Sequence, residues 1–93
     1  MTDDLRIFIL QILIEENPYR LSKIIQDRNI LYEVIAINIS EIIYEGVNDI
    51  DQLVEDQLFM EFGKENIYPD KLDRCKTRIT YIWKSDELNS SFL

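Results

Sequence analysis

Eight carboxylates and no Lys or Arg lie between Asn29 and Gly63: Glu33, Glu41, Glu45, Asp49, Asp51, Glu55, Asp56 and Glu61. Outside that stretch ten acids balance ten bases, so this segment accounts for the whole net charge of −8. A negative field concentrated in this way draws basic partners and repels nucleic acid and anionic membrane. Carboxylates spaced like phosphates can also occupy a groove that normally holds nucleic acid, through the counterion release that drives DNA binding. The plainer alternative is a solvated surface that keeps an Ile-rich chain in solution. Phe59 follows Gln52, Glu55 and Asp56 onto one side of a helical wheel, with Met60 beside it. An aromatic inside a charged rim is a common interface anchor. Burial of Phe59 within the monomer is the competing reading.

Other chemistry is narrowly bounded. Glu41 with Glu45, and Asp51 with Glu55, are i, i+4 pairs that could share a Mg²⁺ or Ca²⁺, but no EF-hand loop or Glu-x-x-His motif accompanies them. No metal and no cofactor is expected. The chain has no histidine, so it lacks the commonest general base and cannot form a Ser-His-Asp or Cys-His site by itself. Gly46 and Gly63, the two glycines, cannot build a phosphate-cradling loop. Cys75 is the only cysteine and falls on an inward helical face with Leu72 and Ile79, as a buried structural thiol does. Lys71, Arg74 and Arg78, with Lys76 and Lys84, form the one basic cluster. Asp70 and Asp73 dilute it, and the acidic middle opposes a DNA-reading role. These cations should face carboxylates of the same chain or of a second copy, each exposed pair contributing about 0–1 kcal/mol. An enzyme would need carboxylate-only chemistry or a shared site, so a non-enzymatic role is expected.

Four stretches with helix-compatible spacing carry these groups, divided by Pro18, Gly46, Gly63 and Pro69. Asp3 to Glu16 places Leu5, Phe8, Ile9, Ile12 and Leu13 at i, i+3, i+4, i+7, i+8. Ile7, Leu10 and Ile14 widen that apolar face. A second helix is expected to begin after Asn17-Pro18, with Leu21, Ile24, Ile25, Leu31, Ile35, Ile39 and Ile42 on one side. Gln26-Asp27-Arg28-Asn29 could break it in two. From Ile30 to Tyr44 apolar residues surround almost the whole circumference, a pattern of burial or of an oligomer interface. Gly46 suits a C-terminal cap. The third helix opens at Asn48 or Asp49 as N-cap, turns Ile50, Leu53, Val54, Leu58 and Phe62 inward, and stops at Gly63. The fourth restarts at Pro69-Asp70, with Leu72, Cys75, Ile79, Ile82 and Trp83 inward and Lys71, Arg74, Arg78 and Tyr81 outward. Tyr81 and Trp83 fit core edge and core. Asp86 to Leu93 fits a frayed polar tail.

The 93 residues therefore imply one all-α domain, a small bundle of four to five helices. The alternative is an α+β fold with strands near residues 5–14 and 77–83, where β-branched and aromatic side chains concentrate. One cysteine fits a reducing compartment. Met1-Thr2-Asp3-Asp4 lacks the positive region of a secretory signal, and Leu5 to Ile14 is too short to span a bilayer. A cytoplasmic chain, bound to neither membrane nor nucleic acid, is expected. Its expected role is to dock on or block a basic protein or a basic nucleic-acid-binding groove, as an inhibitor, immunity partner, regulator or DNA mimic would. Glu41, Glu45, Asp49, Asp51, Gln52, Glu55, Asp56 and Phe59 are the candidate partner-binding residues. Ile30, Val34, Ile37 and Tyr44 are the candidates for self-association, most simply as a homodimer. The alternative function is a structural subunit that assembles through those apolar faces, its acids merely solvated.

Overall fold

Helical spacing outweighs the β-propensity of the many isoleucines, because buried tertiary contact rather than local preference decides helix formation in a packed domain. A computed structural model describes residues 2–21 and 25–91 of the chain, with side-chain surroundings for 4–21 and 30–84. It contains helices α1 (Thr2–Glu16), α2 (Ile25–Glu45), α3 (Ile50–Phe62) and α4 (Pro69–Ser91). No strand occurs among the described residues, and both segments proposed above as alternative strands are helical. Helix α1 packs on α2 and α4, and α3 packs on the same two, closing a four-helix ring. Leu5, Ile9, Ile12 and Leu13 of α1, Tyr32, Ile35, Ala36, Ile39 and Ile43 of α2, Val54 and Leu58 of α3, and Leu72, Cys75 and Ile79 of α4 fill its centre.

The expected helix start at Pro18 is not observed. Asn17 and Arg20 take left-handed backbone angles (φ 46° and 48°), which no continuing helix tolerates. The Asn17 side chain stabilises the turn. Its Oδ1 accepts from the Leu21 N–H at 2.9 Å and from the Tyr32 hydroxyl at 2.7 Å. The Tyr19 hydroxyl lies 2.6 Å from the Gly63 carbonyl and 3.1 Å from that of Leu58, donating toward the end of α3. The Tyr68 N–H donates to the Pro18 carbonyl at 2.8 Å, and the Arg20 guanidinium lies over the Tyr68 ring. The α1–α2 and α3–α4 connections are thereby joined at one end of the bundle.

Two helix ends follow the sequence closely. Asp49 caps α3 by accepting from the Gln52 N–H at 3.0 Å, and Gly63 ends it at φ 83°, a conformation that favours glycine. The polar run 26–29 does not interrupt the α2 backbone. Helix α4 continues to Ser91, past the start of the expected tail, because no Gly or Pro follows Pro69 to stop it. Ile24 and residues 92 and 93 lie outside the described residues. Phe8, expected on the apolar face of α1, is 49% exposed, and Tyr81, expected outward or at the core edge, is 72% exposed. Each helix buries only the arc between its two neighbours, and those two residues fall beyond it. Among the described residues no helix is long and apolar enough to cross a membrane.

Candidate protein-docking site

Helix α2 turns Tyr32, Ile35, Ala36, Ile39, Ser40 and Ile43 inward. At 100° per residue, Ile30, Val34, Ile37, Glu41, Tyr44 and Glu45 fall within an arc of about 100° on the opposite side. Ile30 is 64% exposed and Val34 50%, while Ile37 is half-buried. Glu41, Tyr44 and Glu45 are exposed, with the Tyr44 ring edge-on to Trp83 at 5.4 Å. The residues that sequence spacing assigns to self-association thus share one face of one helix with Glu41 and Glu45, two of the residues assigned to acidic capture. Its first half is apolar and its second half acidic.

The seam between α1 and α2 borders this face. Arg6 and Glu33 bridge it at 3.6 Å. Leu10 lies one turn beyond Arg6, and Ile37 lies one turn beyond Glu33, so both flank the seam. Ile7 and Ile14 continue the α1 side at i−3 and i+4 from Leu10. Ile7, Phe8 and Leu31, absent from the sequence-based site, are exposed.

The α3 acids behave differently. Lys76 of α4 donates to Glu55 at 2.9 Å, which holds that carboxyl below its ordinary range. Asp51 accepts from the Thr80 hydroxyl at 2.9 Å, and Asp49 is occupied as the helix cap. The Gln52 amide donates to both Glu55, at 3.2 Å, and Asp56, at 2.8 Å. Gln52, Glu55 and Asp56 do converge, but largely on one another and on α4. Phe59 is half-buried against the core rather than presented among them. Its neighbour Met60, 79% exposed, holds the outward position instead.

Compensation separates the helix ends. Helix α1 finishes with two acids at the negative pole of its dipole, where Arg78 reaches Glu15 at 2.6 Å and Glu16 at 2.9 Å, and Arg74 reaches Glu16 at 3.0 Å. Helix α2 also ends in acid, with no basic residue in its last turn. Among the described residues no ion pair reaches Glu41 or Glu45. Acids at a helix C-terminus are unfavourable by about 0.3–1 kcal/mol each, and a cation there would reverse the sign.

No metal centre competes with this reading: among the described residues no three His, Cys, Asp or Glu side chains gather around a common point. A cleft of about 180 Å³ lies between the start of α3 and α4, lined by Asn48, Asp49, Ile50, Asp51, Thr80 and Lys84. It is smaller than a typical ligand pocket, and Asp49 and Asp51 already have partners. Cys75 is fully buried, and burial pushes its thiol up to about 12, far from a reactive thiolate. No family model, no curated protein and no solved structure matches the chain.

Proposed function

We propose that this chain is a non-enzymatic binding protein that docks on, or blocks, a basic surface of another macromolecule through the outward face of α2. The observation that carries the reading is the pairing, on one helical face, of exposed Ile30 and Val34 with Glu41 and Glu45, which no ion pair reaches among the described residues. Apolar contact supplies affinity, and carboxylates supply steering and specificity toward cations. An inhibitor, immunity partner or regulator of a nucleic-acid-acting protein fits that chemistry. We read its compartment as cytoplasmic, since a single buried thiol suits a reducing environment.

The alternative, a self-assembling structural subunit, draws on the same exposed Ile30, Leu31 and Val34. A net charge of −8 on every copy works against it. Tagged chain expressed in its native cells, captured at about 50 mM and about 300 mM NaCl and analysed by mass spectrometry, separates the two. A discrete basic protein should be retained at low salt, released at high salt, and absent from a Glu41→Lys/Glu45→Lys capture. Recovery of the chain alone, unaffected by salt or charge reversal, would favour the structural subunit.

A further inference from the structure

The α2 face has direction as well as chemistry. From Ile30 to Glu45 it runs about 22 Å, roughly four helical turns, apolar at one end and acidic at the other. Ile30, Val34 and Ile37 stand at i, i+4, i+7, the spacing that interlocks with ridges of a second helix. On the α1 side of the seam marked by Arg6 and Glu33, exposed Ile7 and half-buried Leu10 and Ile14 recur at i, i+3, i+7. No sheet edge exists among the described residues to receive an extended segment. A second copy would bring another net charge of −8, whereas a partner carrying Lys or Arg complements the exposed Glu41 and Glu45. Charge therefore favours a cationic occupant.

We infer that the occupant is an amphipathic helix of a partner protein, lying along the α1–α2 seam. Its apolar residues at i, i+3 or i+4, and i+7 cover Ile30, Val34 and Ile37. Lys or Arg on the same side, one to two turns further, meets Glu41 and Glu45 and the negative pole of α2. This is helix-in-groove recognition with a charged terminus. It rests on the docking reading above and adds the shape and order of what is bound.

The test uses the full chain and two fluorescein-labelled synthetic helices of about 16 residues and identical composition. One carries three Leu at helical spacing followed by three Lys on the same face. In its isomer the Lys residues sit on the opposite face. Fluorescence anisotropy at about 150 mM salt should show the same-face helix binding about tenfold or more tighter than the isomer. Val34→Asp, Ile30→Asp and Glu41→Lys/Glu45→Lys should each weaken it by about tenfold or more, while Asp73→Lys on α4 should leave it unchanged. Circular dichroism establishes which variants are folded, and the three independent substitutions keep the outcome decidable. Equal binding of the two isomers, or indifference to both apolar variants, overturns the helix inference. If charge reversal alone still weakens both peptides, docking on a basic surface survives that failure. No binding of either peptide, or a sedimenting dimer that Val34→Asp dissociates, also overturns it.

Discussion

Ile37 and Glu41 stand one helical turn apart on the outward side of α2, and the apolar half of that face meets its acidic half between them. Ile37 is half-buried beside the α1 seam, while Glu41 is exposed. Ile30 and Val34 are half or more exposed, and among the described residues no ion pair reaches Glu41 or Glu45. The proposed partner would cover both halves.

Charge reversal at Glu41 and Glu45 should uncouple binding from stability. Glu45→Lys, in the last turn of α2, should add about 0.3–1 kcal/mol to folding, Glu41→Lys should leave it nearly unchanged, and together they should abolish partner capture. Thermal melts followed by circular dichroism should show an unchanged or higher midpoint for the double variant. A midpoint lowered by more than a few degrees would mean that these acids have partners within the fold.

Val34→Asp should leave the fold standing. The side chain is half exposed and faces away from Ile35, Ala36 and Ile39, so the change belongs with surface substitutions, within about 0.5 kcal/mol plus a small propensity difference. Ile35→Asp is the matching control, and burial of its charge should unfold the domain. Urea titrations of the two variants measure the contrast.

Tyr19→Phe should be costly for so small a change. It removes the donor facing the Gly63 and Leu58 carbonyls, a net loss of about 1 kcal/mol or somewhat more. At about 4–8 °C per kcal/mol for a domain of this size, the melting midpoint should fall visibly. No change would show that the junction between the two connections does not limit stability.

Alkaline pH should unfold the chain through two buried groups. Burial raises the Cys75 thiol from 9.0 to about 12 and the Tyr19 hydroxyl from 10.0 to about 12. A folded-state value above the unfolded one favours the protonated, folded form. That contribution is complete below pH 9 for the thiol and below pH 10 for the phenol, and is lost as pH rises through about 12. Cys75→Ala should flatten the portion that begins near pH 9. A thiol reagent at neutral pH should label Cys75 only after denaturant is added.

The helices were legible because their boundaries are written in single residues: Asp49 as a cap, Gly63 as a stop, Pro69 as a restart. The Asn17–Arg20 turn was not legible, since its left-handed angles depend on Tyr32, a tertiary partner 15 residues from Asn17. The acidic segment was legible as composition, yet its division was not. Only packing shows that Glu55 faces Lys76 while Glu41 and Glu45 face solvent. Phe59 follows its competing reading, half-buried against the core, for the same reason: when apolar residues cover most of a wheel, spacing does not fix the direction of the core. Arg74 and Arg78 were expected to meet carboxylates, and Glu15 and Glu16 of α1 receive them.

One outward face of α2 is proposed to receive the partner. An ¹⁵N-labelled chain titrated with the same-face peptide, followed by two-dimensional NMR, tests it residue by residue. The largest shifts should fall on Ile30, Val34, Ile37, Glu41 and Glu45, with Ile7 and Leu10 across the seam. Shifts confined to α3 and α4, or spread evenly over the surface, would contradict it.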